Sequence, residues 1–119
     1  MWLLDANMDV HLYSLLRELG VKAESAAFRG WKALENGQLV SAAIASGFDC
    51  LLTRDGLFGE SASKALKQFP NFAIVVVTLQ QQPWPTYKMS FLNQWRVQPI
   101  VPIHGRLTSW PDDDRAIQD

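Results

Sequence analysis

The chain predicts an α/β fold built on a mostly parallel sheet. Three observations carry that expectation. Short apolar runs at Met1–Leu4, Asp49–Thr53 and Phe72–Leu79 read as buried strands, because they lack the polar alternation of a half-exposed sheet. Between them lie segments whose apolar residues recur at helical spacing. Strand and helix signals then alternate along the chain, the pattern of strands joined by helical crossovers. Crossover handedness limits the possible topologies. The arrangement expected is one three-layer α/β/α sandwich over residues 1–103, with five strands in the order 2-1-3-4-5 and a tail at 104–119.

Met1–Leu4 is the first strand. Asn7 and Asp9 offer N-caps to a helix whose apolar face is Val10, Leu12, Leu15, Leu16 and Leu19, stopped by Gly20. Val21–Ala27 is a weaker strand, and Phe28–Glu35 a loop. Asn36 caps a second helix with Leu39, Val40, Ala43 and Ile44 on one side, ended by Gly47. Asp49–Thr53 is the central strand. Ser61 opens a third helix with Ala62, Ala65, Leu66 and Phe69 on one face, closed by Pro70. Phe72–Leu79, rich in β-branched residues, is the clearest strand. Pro85 suits the first turn of a fourth helix, Thr86–Trp95, with Tyr87, Phe91, Leu92 and Trp95 on its apolar side. Ile100–Ile103 is expected as the last strand, confined by Pro99 and Pro102 to a sheet edge. Asp112–Asp114 reads as solvated tail, with Trp110 available to fold back onto the body.

Length and composition narrow the function classes. A chain of 119 residues that is 48% hydrophobic forms one domain with its own core. A formal charge of −1 gives no strong pull on nucleic acid or an acidic membrane, although a bound metal would supply local positive charge. The single cysteine, Cys50, lies in a buried run and reads as a core residue, which suits a reducing compartment. The apolar start is too short for a signal peptide, and no run is long enough to span a bilayer. A soluble cytoplasmic protein is the expectation.

The chemistry-bearing feature is a pair of strand-end carboxylates. The first strand ends in Asp5 and the central one in Arg54-Asp55. With order 2-1-3-4-5 those strands are neighbours where the winding reverses, and their carboxyl ends face the crevice in which open α/β sheets bind ligands. Two close carboxylates need a cation, a shared proton or an arginine between them. Hard oxygen donors suit Mg2+ or Mn2+, and such an ion can activate water and stabilise displacement at phosphorus. The alternative is that each aspartate caps the turn after its strand. Arg54 has two readings, a phosphate contact or a solvent-facing side chain. Arg29, Trp31 and Lys32 form a basic–aromatic loop suited to single-stranded RNA, with Trp31 otherwise serving as a hydrophobic staple under the second helix. His11 and His104 lack ligand-spaced partners and receive no role. No phosphate-binding glycine loop is present, since Gly56-Leu57-Phe58-Gly59 lacks the lysine and the spacing.

Three motifs in this order carry a family likeness. Leu3-Leu4-Asp5-x-Asn7-Met8 before a helix, Gly30-Trp31-x-x-Leu34-x-Asn36-Gly37-x-Leu39 opening a helix, and Phe48-Asp49-x-Leu51-Leu52-Thr53-x-Asp55 together resemble the PIN-like domains. The likeness is greatest to short stand-alone members that are toxins of bacterial toxin–antitoxin pairs, and it covers residues 1–80. It implies a ribonuclease in which carboxylates hold Mg2+ or Mn2+ and water attacks the RNA phosphodiester. Asp5 and Asp55 fall on two of the family's acidic positions. It also implies an antitoxin protein as partner and a homodimer. The chain departs from the family at Ala6, where members often carry a second acid, and at Asn36 and Gln38, where the second helix would start with acids. Asn36 could ligate through its carbonyl oxygen. Glu35, adjacent to the family position, is either a substitute ligand or an exposed loop residue. Two other readings follow: a PIN-like binding module without catalysis, and a receiver-like phosphoacceptor domain. The latter lacks a second acid after the first strand and a lysine after the fifth.

Overall fold

A computed structural model describes residues 1–56 and 64–111. Five strands, β1 (Trp2–Leu4), β2 (Ala23–Ser25), β3 (Cys50–Thr53), β4 (Ala73–Val77) and β5 (Leu107–Trp110), form one sheet in the order β2-β1-β3-β4-β5. Every neighbouring pair is parallel. The register sets Leu4 beside Ser25 on one side and Leu52 on the other, so β1 and β3 end side by side. Helices α1 (His11–Glu18), α2 (Asn36–Ala45), α3 (64–68) and α4 (Trp84–Val97) cover the two faces. The expected start of the third helix at Ser61 and Ala62, the loop 57–59 and Asp112–Asp114 lie outside the described residues.

Alternation along buried strands divides the interior in two. Leu4, Cys50, Leu52, Val75 and Val77 point to one face and pack with Leu12, Leu15 and Leu16 of α1 and Tyr87 and Phe91 of α4. Leu3, Leu51 and Ile74 point to the other and meet Leu39, Val40 and Ala43 of α2 and Leu66 of α3. This is the expected three-layer sandwich. Cys50 is fully buried, and burial pushes its thiol pKa upward, as a core cysteine requires.

Both α1 and α2 end in the same closure. Gly47 takes φ +91°, a left-handed conformation that glycine adopts without the cost a Cβ imposes. Its N–H donates to the Ile44 carbonyl and the Phe48 N–H to that of Ala43, at 3.1 and 2.9 Å. Gly20 repeats the arrangement, with Val21 N–H reaching back to Leu16 at 2.9 Å. In each case the residue after the glycine joins the core beside the side chain of the residue whose carbonyl accepts its N–H. Helix and following strand are thereby locked at a fixed angle.

Five expectations are corrected, the last of them at β5. The second strand is Ala23–Ser25, the short middle of Val21–Ala27. Glu35, not Asn36, is the N-cap of α2: its N–H donates to Gln38 Oε1 at 3.2 Å in a reciprocal capping box. Leu34 and Leu39, rather than Trp31, stand at the staple positions on either side of that cap, while Trp31 packs edge-on against Phe48. The fourth helix begins two residues early, at Trp84, and runs to Val97.

The fifth strand moves furthest. It is Leu107–Trp110, inside the stretch read as tail, and residues 100–103 form no strand. Pro102 lacks a ladder donor, and the apolar residues there separate, with Ile100 buried and Val101 and Ile103 exposed. Trp110 is 5% exposed and lies 4.8 Å from the ring of Phe91. Its indole N–H donates to the Gln98 carbonyl at 2.8 Å. Trp110 therefore does fold back, as the end of a strand.

Candidate functional site

The carboxyl edge of the sheet gathers the ends of β1, β3 and β4 and the starts of α1 and α4. Asp5 continues β1 by one residue, its N–H donating to Leu52 O at 2.8 Å. This ladder bond fixes the backbone from which the carboxylate projects. Ala6 N–H donates to Asp5 Oδ1 at 2.7 Å, and Thr53 Oγ1 donates to Asp5 Oδ2 at 2.7 Å. The same hydroxyl accepts the Asp55 N–H at 3.2 Å. Thr53 is fully buried, so a single shielded hydroxyl ties the two strand-end aspartates together. Both aspartates are half-buried. Thr53 received no role from the sequence; the available signal was a hydroxyl at the last inward position of an otherwise apolar strand.

The remaining predicted residues separate. Arg54 is exposed, and its guanidinium donates to the Asn7 carbonyl at 3.4 Å, which leaves the cation at the crevice. Arg29 donates twice to Glu24, at 2.9 and 3.3 Å, and lies over the rings of Trp31 and Phe48. That hydrogen-bonded pairing holds the Glu24 carboxyl below its ordinary value and raises the Arg29 guanidinium. Phe48 precedes β3, so this cation is engaged beside the opposite end of that strand from Asp55. Lys32 is exposed in the same loop. Glu35 is occupied as the cap of α2, and the side chain of Asn36 lies outside the described residues.

At the start of α1, Asp9 Oδ1 accepts both the His11 backbone N–H, at 2.9 Å, and its ring Nδ1–H, at 2.8 Å. The imidazole stacks on Trp84 at 5.1 Å with 24° between planes. Tyr87, one turn into α4, has its hydroxyl pKa pushed up to about 12 by burial; Arg54 opposes the shift and Asp9 adds to it. Three loops thus converge beside the aspartates. Tyr87 belongs to the core, and Trp84 and Trp95 are half-buried against it.

Asp5 and Asp55 are the residues here that could hold a cation. Among the described residues no group of three or more His, Cys, Asp or Glu side chains gathers into a cage. Each Asp5 oxygen keeps a lone pair beyond the hydrogen bond it accepts. Carboxylate oxygens at a sheet edge, the Asp5 pair among them, are hard donors that fit Mg2+ or Mn2+, which retain water and take substrate phosphate as a further ligand. Described cavities of about 350, 500 and 410 Å³ lie elsewhere, against Phe48 and Phe72, beside Leu107, and between α2 and α3. Among the described residues no helix is long and apolar enough to cross a membrane.

Compared with protein-family models, with curated proteins and with solved structures, the chain matches none.

Proposed function

We propose that the chain is a PIN-like, metal-dependent ribonuclease of the cytoplasm, acting as the toxin of a toxin–antitoxin pair. The observation that supports this most is the bridge from Asp5 through the buried Thr53 hydroxyl to the Asp55 backbone at neighbouring strand ends. Such a bridge ties the Asp5 carboxylate to the Asp55 backbone at the edge where open α/β sheets take ligands. Asp5 and Asp55 would hold Mg2+ or Mn2+, which would supply an activated water and charge stabilisation at phosphorus. Thr53 orients the Asp5 carboxylate, and Arg54 offers a phosphate contact.

A second reading has its own support. Ala6 replaces an acid, Glu35 is spent on capping α2, and both Asp5 oxygens already accept hydrogen bonds. A PIN-like binding module without catalysis accounts for these features. A receiver-like domain fits less well, because the residue that follows β5 is Pro111 rather than a lysine.

Calorimetric titration with Mn2+ separates the two readings. The nuclease reading expects one or two ions bound by the wild type, at least tenfold weaker binding in Asp55→Asn, and RNA cleavage that Asp55→Ala abolishes while the fold is kept. No binding at millimolar Mn2+ or Mg2+ sinks it and leaves the binding module.

A further inference from the structure

We propose that His11 and Trp84 form a nucleobase platform, on which a base of a single-stranded RNA stacks while its backbone runs past Arg54 toward Asp5 and Asp55. The inference rests on the ribonuclease reading for its ligand and adds the subsite that grips a base.

Three features converge on it. The imidazole is 60% exposed although one face lies on the Trp84 indole, so its other face is presented to solvent. Its orientation is fixed twice, by the Nδ1–H bond to Asp9 and by the near-parallel indole beneath. A ring already held in place loses little freedom when a base settles on it. The pair also stands at the right edge: α1 follows β1 and α4 follows β4, so His11 and Trp84 open the helices that start beside the strand-end aspartates. Arg54, tethered to the Asn7 carbonyl of the same β1–α1 loop, supplies an exposed cation for a phosphate.

Stacking is indifferent to sequence because every base has a π face, and loss of one aromatic platform weakens single-strand binding by about 5- to 150-fold. No metal ligand is involved, so the platform can be tested apart from catalysis. The probe is a fluorescein-labelled 2′-O-methyl RNA octanucleotide, which resists cleavage, read by fluorescence anisotropy in EDTA. A matched strand with abasic positions serves as the comparison.

Wild type is expected to prefer the base-bearing strand over the abasic one by about 5- to 150-fold. His11→Ala, at an exposed position, and Trp84→Ala should lose most of that preference, and Trp84→Phe should keep it. Circular dichroism checks that Trp84→Ala folds, and His11→Ala carries the test if it does not. Equal binding of both strands by the wild type overturns the platform, as does no binding of either. Unchanged preference in both His11→Ala and Trp84→Ala also overturns it, because the bases would then stack elsewhere. A platform that binds bases in a protein that cleaves no RNA leaves this inference standing and removes the nuclease reading. Cleavage by a protein without base preference does the reverse.

Discussion

Thr53 shows how much a single buried hydroxyl can organise. It donates to Asp5 and accepts from Asp55, so Thr53→Val removes the hydroxyl donor to the half-buried Asp5 carboxylate and the acceptor that meets the Asp55 N–H. The expected cost is about 1–3 kcal/mol in urea unfolding, with weaker Mn2+ binding in the same variant. A variant as stable as wild type would mean that water replaces the hydroxyl without loss. Arg29 and Glu24 give a prediction with a pH signature. The Arg29 hydrogen bond holds the Glu24 carboxyl below its ordinary 4.5. A lowered carboxylate pKa contributes stability that is present above 4.5 and is lost as the pH falls through the folded-state value. Glu24→Gln should therefore be slightly less stable than wild type at neutral pH, with the gap closing in acid. The effect is small because the pair is partly exposed. A gap that widens in acid would contradict this origin. The sequence offered Arg29 as an RNA contact because nothing local reveals that β2 sets Glu24 within its reach.

Among the elements, β5 departs most from the sequence reading, for reasons visible in its residues. Leu107-Thr108-Ser109-Trp110 looks polar because an edge strand buries few of its side chains; here only Trp110 is buried. Ile100–Ile103 looks more strand-like by composition, but Pro102 removes a ladder donor and only Ile100 enters the core. Trp110 is then the anchor of the edge. Trp110→Ala removes the ring packed on Phe91 and the donor to Gln98, and should cost about 3–5 kcal/mol in thermal or urea unfolding. A loss below about 1 kcal/mol would mean that β5 contributes little to the fold. The cap of α2 lies one residue before Asn36, although Asn is the commoner capping type. Glu35 wins through its reciprocal partner three residues on, Gln38.

At the scale of the whole molecule the strand order was legible. Buried runs, helical spacing and two glycine stops permit few parallel arrangements, and the sheet adopts the expected one. That order alone brought Asp5 and Asp55 to one edge. What it could not reveal was the meeting of α1 and α4, because His11 and Trp84 are separated by most of the chain and no local pattern links them. The sheet that sets this edge also partitions the interior. Ile74 packs on the α2 side and Ile100 on the α1 and α4 side, and among the described residues their two clusters share no member. Thermodynamically the protein then contains two separate accounts of cavity cost. Ile74→Val and Ile100→Val should each lose about 0.5–1.5 kcal/mol, and the double variant should lose their sum to within about 0.5 kcal/mol. A larger coupling would show strain passing through the sheet. Additivity would let one layer be repacked for stability while the layer beneath His11 and Trp84 is left as it is.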